Sequence, residues 1–272
     1  MWPSFRVRYP QATLYKTTIP TTAPSRVNAA PKPNIVSMNN SAQPDLETLF
    51  SVTDWVQRLP AAAKHRVIAD SYDRTYGPRE MVGRRGELVT SWIGVVEGLL
   101  KVSTATPSGR TVMFTAIPGG SWVGEGSVIK RELRRYDLIA LRTTRVIHVP
   151  QATFMWLLAT SNDFSRYVID YLNERAGQFI GMLEVARITD PAGRVAGAIC
   201  NLFHPVLYAN AGPLLNISQE EIGELAGLSR STTNIALKRL HQLELVDTQY
   251  GGLLVLNLDR LKTFVNDCWP ES

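Results

Sequence analysis

Hydrophobic and polar residues are distributed in three different ways along the chain. Between Asp45 and Pro60, apolar residues recur at steps of three and four, which predicts one amphipathic helix; residues 61–73 predict a second, short helix. From residue 76 to residue 150, short apolar runs are separated by Gly and Pro at close, regular intervals, which predicts a β-sandwich or β-roll. The predicted strands contain residues 95–96, 99–102, 111–117, 138–141 and 146–149.

Residues 151–190 return to a helical period. Their apolar stripe advances in steps of three and four and predicts a helix of about 25 residues, roughly 37 Å long. One alternative is a helix packed on its own β-domain; the other, which the length favours, is a helix that pairs with its twin in a homodimer. The predicted dimerisation residues are Val168, Leu172, Ala176, Phe179, Leu183 and Ala186.

Residues 191–272 predict a separate helical unit with a compact motif at its centre. Ser218 and Glu221 have the spacing of a capping box, Gly227 favours a left-handed turn, and Ser229 can cap a second helix. A capped helix, a glycine turn and a capped polar helix are typical of a helix-turn-helix. Residues 249–256 predict a hairpin with a Gly-Gly turn, which would make the unit a winged helix.

The charge distribution supports DNA binding through cations on one predicted helix rather than through the net charge of the chain. Residues 1–44 hold five basic side chains and no acidic one, so the net charge of +5 belongs to this leader and the remainder is neutral. Residues 229–241, in contrast, contain three cations and no acid. Arginine, asparagine and hydroxyl side chains read base edges or contact phosphate. The candidate DNA-binding residues are Ser218, Gln219, Ser229, Arg230, Ser231, Thr233, Asn234, Lys238 and Arg239.

The leader has no sustained period and is rich in Thr, Pro, Ala, Ser and Asn. It superficially resembles a transit peptide, but its composition predicts a disordered basic leader over residues 1–44, with Met38 as an alternative start. No apolar run approaches the ~18 residues of a membrane span, so we expect no membrane partner and a cytoplasmic location.

Several kinds of site are excluded by the residues themselves. With only Cys200 and Cys268, the chain has too few cysteines for a disulfide scaffold, a Cys-rich zinc site or a four-cysteine iron–sulfur cluster, and its four histidines lack metal-ligand spacing. Gly-x-Ser-x-Gly, phosphate-loop and His-Glu-x-x-His motifs are also absent from the sequence. We therefore expect no metal, no catalytic residue and no enzymatic activity.

A β-roll, a long helix and a winged helix, an α+β arrangement, together resemble the cyclic-AMP receptor protein/fumarate–nitrate regulator (Crp/Fnr) family of bacterial transcription regulators. The resemblance covers about residues 46–265 and is most specific over 217–245 and 118–144, where Gly120 to Glu125 resemble the entrance of the family's phosphate-binding cassette. It implies a homodimer on a two-fold-related double-stranded DNA site, an effector-sensing β-roll and RNA polymerase as a further partner. The implied domains are a leader (1–44), a cyclic-nucleotide-binding-like β-roll (45–160), a dimerisation helix (161–190) and a winged helix-turn-helix (191–272).

The effector site departs from the family pattern. In the family's cyclic-AMP binders, a Gly-Glu pair holds the ribose, an Arg-Ser pair holds the cyclic phosphate, and a Thr-Ser pair on the central helix meets the adenine. Here Gly124-Glu125 and Arg135 match, but Tyr136 follows the arginine, and Phe179-Ile180 stands where Thr-Ser is expected. We therefore predict that cyclic AMP does not bind in the usual mode.

Basic residues near the cassette suggest another ligand. Five cations lie within thirteen residues and form either a solvated loop or an anion site, which would suit a nucleotide such as cyclic di-GMP, with Tyr136 stacking on a base. An effector-independent regulator and a protein-interaction module without DNA contact are the alternatives. The five cations are Lys130, Arg131, Arg134, Arg135 and Arg142. The candidate effector-binding residues are Gly124, Glu125, Arg134, Arg135, Tyr136 and Phe179.

The recognition helix departs from the family pattern as well. Arg230 matches the first arginine of the best-known member, but Ser231 and Ile235 replace its glutamate and second arginine. We expect an altered base preference with DNA binding retained.

Overall fold

The computed structural model describes residues 44–106, 108–109, 111–249 and 251–269. The leader over residues 1–44 therefore lies outside the described residues, apart from Pro44. The N-terminal elements are α1 (Leu46–Ser51), α2 (Asp54–Gln57), α3 (Ala61–Asp70), β1 (Tyr72–Tyr76), β2 (Met81–Gly83), β3 (Ser91–Glu97), β4 (Leu99–Ala105), β5 (Thr111–Pro118), β6 (Trp122–Val123), α4 (Glu125–Lys130), β7 (Asp137–Ala140) and β8 (Thr144–Pro150). The C-terminal elements are α5 (Gln151–Thr160), α6 (Asn162–Val185), α7 (Pro191–Cys200), β9 (Leu214–Leu215), α8 (Gln219–Ala226), α9 (Arg230–Gln242), β10 (Val246–Gln249), β11 (Gly252–Val255) and α10 (Leu258–Asp267), with a 3-10 turn over Asn201–Phe203 after α7.

The single helix predicted before Pro60 is wrong, because two short helices, α1 and α2, occupy that segment. The break falls at Val52 and Thr53, two adjacent β-branched residues whose side chains disfavour helix continuation. The Thr53 hydroxyl donates to the Leu49 carbonyl at 3.0 Å, and its extended backbone starts α2 anew. The second predicted helix is confirmed as α3, but it ends at Asp70, and the last two residues of the predicted range, Tyr72 and Asp73, belong to β1.

The β-roll consists of two four-stranded antiparallel sheets. One has the order β1-β8-β3-β6 and the other β2-β7-β4-β5. The strand predictions over residues 76–150 are confirmed in β3, β4, β5, β7 and β8, whereas β1, β2 and β6 were not predicted.

Aromatic side chains dominate the core of the roll. Trp55, Trp92 and Trp122 pack together, with the rings of Trp92 and Trp122 4.2 Å apart between centroids. The cluster requires a glycine at position 94 of β3, because a Cβ at Gly94 would lie 2.7 Å from the Trp122 ring. Helix α5 and the first half of α6 cover the cluster, for example with Phe164.

The C-terminal unit has the predicted winged helix-turn-helix, and the fold class is confirmed. The capping box of Ser218 and Glu221 forms at the start of α8, Gly227 ends that helix with φ of 63°, and Ser229 caps α9. The wing hairpin runs from β10 to β11, with β9 as the third strand of its sheet. It begins at Val246, three residues before the predicted hairpin.

The winged helix shares a core with one end of the β-roll. Leu99, Met113 and Ala116 of β4 and β5 belong to the same buried cluster as Ile222 of α8 and Leu237 of α9. Two side-chain ion pairs, described below, lie at the same contact.

Candidate nucleic-acid interface and effector pocket

Helix α9 presents one apolar side to the core and one mixed side to solvent. Ala236, Leu237 and Leu240 are buried, whereas Arg230 and Lys238 are exposed on the outer side. Neither cation makes a hydrogen bond or an ion pair within the described part of the chain. Both are therefore available to an approaching anion.

The remaining predicted DNA-binding residues take different positions. Ser231 is exposed on α9, and Ser218 and Gln219 are exposed at the beginning of α8. The hydroxyl of Ser229 accepts from the backbone of Thr232 at 3.2 Å as the helix cap. Asn234 is half-buried, and its Oδ1 is buried with no hydrogen-bond partner among the described residues.

Thr233 is a wrong prediction for an outward DNA contact. It is fully buried, and its hydroxyl donates to the Ser229 carbonyl at 2.9 Å. The reason is the helical period, since Thr233 lies four residues before Leu237 on the inward side. Gly223 of α8 packs on this hydroxyl, because a Cβ there would lie 2.8 Å from Thr233 Oγ1.

Arg239 is engaged inside the chain. Its Nη1 donates to both carboxylate oxygens of Asp190, at 2.9 and 3.1 Å, and its guanidinium lies 5.5 Å from the Phe264 ring centroid. Asp190 also caps α7, where it accepts from the backbone of Ala192. Arg239 therefore joins α9 to the start of α7, and the outward cations of α9 are Arg230 and Lys238.

The five-cation segment near the cassette does not form one anion site. Lys130 and Arg135 both pair with Glu132, and Arg131 is exposed. Arg142 lies elsewhere, at the winged helix, where it donates to both carboxylate oxygens of Glu221 at 2.9 and 3.1 Å. This pair, with the ion pair between Lys101 of β4 and Glu224, connects the β-roll to α8.

Arg134 is the one arginine of this segment that points into the β-roll. Its side chain is buried and rests on Gly83 of β2, where a Cβ would lie 2.6 Å from the Arg134 Nε. Its Nη1 lies 3.7 Å from the place that a Cβ would occupy at Gly124 and has no hydrogen-bond partner among the described residues. Burial lowers the pKa of the Arg134 guanidinium from its ordinary value.

This position corrects the predicted register of the cassette. The expected phosphate arginine was Arg135, but its side chain is two-thirds exposed and held by Glu132 at 2.9 and 3.0 Å. The inward arginine is Arg134, so the residue after it is Arg135 and not Tyr136. A small hydroxyl is absent from this position in either register. Tyr136 is half-buried, and burial, followed by the charge of Glu125, raises its pKa to about 12.

Glu125 provides an opposite charge next to Gly124, the residue that Arg134 approaches. It follows Gly124, whose φ of 99° is left-handed, and it is 5% exposed. Its Oε1 lies 3.7 Å from Arg175 Nε, whereas its Oε2 has no hydrogen-bond partner in the described part of the chain. A buried carboxylate oxygen and a buried guanidinium nitrogen therefore both lack a partner, and buried polar groups normally have one.

Arg175 is the pocket residue that the sequence analysis missed. It lies on α6 and donates to the Trp122 carbonyl at 2.9 Å, to Gln178 Oε1 at 3.0 Å and to the Tyr208 hydroxyl at 3.2 Å. The available signal was the spacing of Tyr171, Arg175 and Gln178, which places three polar residues on one side of α6. Through Arg175, α6 contacts both the cassette and the loop that precedes the winged helix.

The exposed side of α6 differs from the predicted stripe at its first residue. Val168 is buried in the chain's own core, so it is a wrong prediction for a dimer contact, and Ile169 takes the outward position. With Ile169, the apolar spacing becomes three and four in strict alternation, which is the heptad pattern of a coiled coil. The residues of this pattern are Ile169, Leu172, Ala176, Phe179, Leu183 and Ala186; all but the half-buried Leu172 are exposed. Phe179, predicted to meet an effector as well, lies on this exposed side.

The described residues offer neither a metal site nor a membrane-spanning helix. That part of the chain holds no group of three or more His, Cys, Asp or Glu side chains that could bind a metal ion. None of its helices combines the length and the apolar composition needed to cross a bilayer.

Comparison with known proteins identifies both halves of the chain. The model of the cyclic nucleotide-binding domain matches residues 73–161, and that of the Crp-like helix-turn-helix domain matches residues 193–264. The cAMP-activated global transcriptional regulator CRP of Haemophilus influenzae is 22% identical over 184 residues, which cover 66% of this chain and 82% of that protein. The CRP-like cAMP-activated global transcriptional regulator of Mycobacterium tuberculosis is 24% identical over 170 residues, 61% of this chain and 76% of that protein.

Solved structures share the fold at low sequence identity. FixK2 from Bradyrhizobium japonicum has a TM-score of 0.61 at 16% identity, over 71% of this chain and 96% of that chain. The c-di-GMP responsive global regulator CLP from Xanthomonas campestris has a TM-score of 0.55 at 21% identity, over 73% of this chain and all of that chain. The two domain models together match more than half of the chain, in the order that the fold shows. The chain therefore belongs to the Crp/Fnr family and is a DNA-binding transcription regulator with a cyclic-nucleotide-binding domain.

Proposed function

We propose that the protein is a homodimeric, sequence-specific regulator whose DNA binding is controlled by an anionic nucleotide held between Glu125 and Arg134. The observation that carries this proposal is the pair of buried, oppositely charged atoms without partners, Glu125 Oε2 and Arg134 Nη1. Leaving such groups unpaired is costly, and a ligand with a hydroxyl and a phosphate supplies the missing partners. The carboxylate would accept from a sugar hydroxyl, and the guanidinium would donate to a phosphate oxygen.

The effector is not cyclic AMP in its usual mode. Arg135 follows Arg134 in place of a small hydroxyl, and the exposed side of α6 offers Phe179 and Ile180 in place of hydrogen-bonding side chains. A cyclic dinucleotide is the leading candidate, because the exposed Arg131 and the half-buried Tyr136, close to Arg134 in the chain, offer a further cation and an aromatic ring. A protein of the same fold, CLP, is c-di-GMP responsive.

Calorimetric titration of the full chain with cyclic AMP, cyclic GMP and cyclic di-GMP tests this assignment. We expect cyclic di-GMP to bind more tightly than cyclic AMP, and Arg134→Met to abolish binding. The matched control is Arg135→Met, which removes an exposed arginine from the next position and should leave binding unchanged. No heat from any of the three nucleotides, or equal losses in the two variants, would contradict the proposed pocket.

The homodimer is supported by the exposed heptad pattern of α6. Ile169 and Leu183 are 65% and 67% exposed, and burying such side chains against a twin helix stabilises the pair by up to about 1.5–3 kcal/mol each. Leu183→Glu should therefore produce a monomer in light scattering and lose affinity for a two-fold-related site. Asp170→Lys, at an exposed position about 100° around the helix from Ile169 and away from the apolar stripe, is the control and should remain dimeric.

The DNA interface is proposed to consist of Arg230, Ser231 and Lys238 of α9, together with Ser218 and Gln219 of α8. An arginine at this exposed position can make a bidentate contact with guanine, so Arg230→Ala should cost about 1–3 kcal/mol on the specific site and relax one base position. Lys238→Ala should instead weaken binding to all sequences and reduce the salt slope by about one.

Fluorescence anisotropy with genomic fragments measures both effects. Arg58→Ala removes an exposed cation from the residue that caps the end of α2, far along the chain from the winged helix, and serves as the matched control. Equal affinities and footprints for the wild type and Arg230→Ala would refute the base contact.

A further inference from the structure

One apolar residue stands on the outer side of the recognition helix. Ile235 is 70% exposed and is the most exposed large hydrophobic side chain among the described residues of the winged helix unit. The next two residues, Ala236 and Leu237, are buried in the core. The helical period therefore turns Ile235 outward, although its residue type alone predicts burial.

The neighbours of Ile235 are polar side chains that face the same way. Ser231 precedes it by four residues and Lys238 follows it by three, so these three side chains lie along one side of α9. Both neighbours are exposed, and the outward Arg230 lies at the beginning of the same helix. Ile235 is consequently an exposed apolar side chain surrounded by polar and cationic ones.

The major groove offers one apolar group to such a surface. Among the four bases, only thymine presents a methyl group there, at C5, and aliphatic side chains contact it. A recognition helix contacts base edges with its N-terminal part, and Ile235 is the sixth of the thirteen residues of α9. Its branched side chain has no hydrogen-bonding atom and cannot recognise a donor or an acceptor on a base.

We infer that Ile235 determines sequence specificity by contacting the 5-methyl group of a thymine in each half-site. This inference deepens the proposed function and rests on it, since it requires that α9 enter the major groove. It adds a preference for one thymine through van der Waals contact and exclusion of water, next to the base contact of Arg230.

The test removes only the methyl group. Sequences bound by the full-length wild type are first selected from a randomised duplex library. Each thymine of the consensus half-site is then replaced in turn by deoxyuridine, symmetrically in both half-sites, and Kd is measured by anisotropy. We expect one replacement to weaken wild-type binding by about fourfold per half-site, from the transfer energy of one methyl group.

The protein variants assign that methyl group to Ile235. Ile235→Ala should bind the thymine and the deoxyuridine duplexes with equal Kd at that position, while Ile235→Val should keep most of the preference. Lys238→Ala, the control on the same side of α9, should bind more weakly overall and keep the full thymine preference. Circular dichroism of Ile235→Ala checks its folding, and the deoxyuridine duplexes test the wild type without any variant.

The possible failures are distinct. If no replacement of a thymine weakens the wild type, or if Ile235→Ala retains the same sensitivity, the methyl contact is refuted while DNA binding stands. If the selection enriches no sequence at all, specific DNA binding fails, and this inference fails with it.

Discussion

Removal of the Arg175 guanidinium should expose how strongly the effector pocket depends on one buried cation. In Arg175→Met the side chain keeps its length and loses its charge. Glu125, which is 5% exposed, then loses the guanidinium that lies 3.7 Å from its Oε1 in the wild type. The Trp122 carbonyl, Gln178 and Tyr208 lose their shared donor at the same time.

The expected loss follows from this burial. Breaking a buried ion pair by removing one partner costs about 3–5 kcal/mol, because the remaining charge is left without compensation. Glu125→Gln should cost less, about 1–2 kcal/mol, since Arg175 retains its other acceptors and the amide retains the shape of the carboxyl group. In the double variant the isolated charge no longer exists. Its loss should therefore fall short of the sum of the single losses by about 1–2 kcal/mol.

Urea unfolding followed by tryptophan fluorescence measures this cycle. The reporter lies at the site, because Trp122 accepts from Arg175 and packs on Trp92 and Trp55. Arg166→Met, an exposed arginine on the same helix, is the control and should change stability by less than about 0.5 kcal/mol. A loss below about 1 kcal/mol for Arg175→Met, or additivity of the two substitutions within about 0.5 kcal/mol, would refute the buried pair as a coupled unit.

Three further predictions concern the β-roll and its contact with the winged helix. Burial, with the charges of nearby arginines, lowers the pKa of His148 from 6.5 to about 4. As the pH falls, the unfolded chain therefore binds a proton at this residue before the folded chain does. His148 contributes about 3 kcal/mol to the unfolding free energy above pH 6.5, and this contribution is lost as the pH falls towards 4. Urea midpoints across this range should fall less steeply for His148→Gln, and parallel curves would contradict the assignment. Gly94→Ala places a methyl group against the Trp122 ring and should lower the unfolding free energy by about 1–3 kcal/mol at an unchanged denaturant slope; no shift of the midpoint would show that the ring can move aside. Arg142→Gln breaks the two hydrogen bonds to Glu221 and should cost about 1 kcal/mol in thermal unfolding, an effect that must shrink in high salt if its origin is ionic.

Local sequence signals determined the elements and the DNA-binding motif. The capping box of Ser218 and Glu221, the left-handed Gly227 and the cap at Ser229 are each made within a few residues of chain, so their chemistry is legible in the order of the amino acids. The strands of the β-roll are similarly local, because Gly-rich turns and short apolar runs mark them. The break between α1 and α2 shows the limit, since two adjacent β-branched residues outweighed a continuous apolar period.

Which side of a helix each residue occupies was decided by the tertiary structure. A period of 3.6 residues places Val168 and Ile169 about 100° apart, and only the position of the β-roll shows that Val168 packs inward and Ile169 faces out. The same is true of Thr233 and Ile235 on α9. Their residue types favour the opposite assignments, and the packing of α8 and α9 reverses them.

The effector pocket depended most on the fold, because its members come from distant segments. Glu125, Arg134 and Arg175 lie on three different elements or loops, and the fold places the Arg134 side chain against Gly83 and Gly124 and the Arg175 side chain beside Glu125. The order of amino acids by itself determined that the chain carries a capped helix-turn-helix after a β-roll. The tertiary structure decided which arginine is buried, because desolvation and pairing depend on neighbours that sequence distance does not reveal.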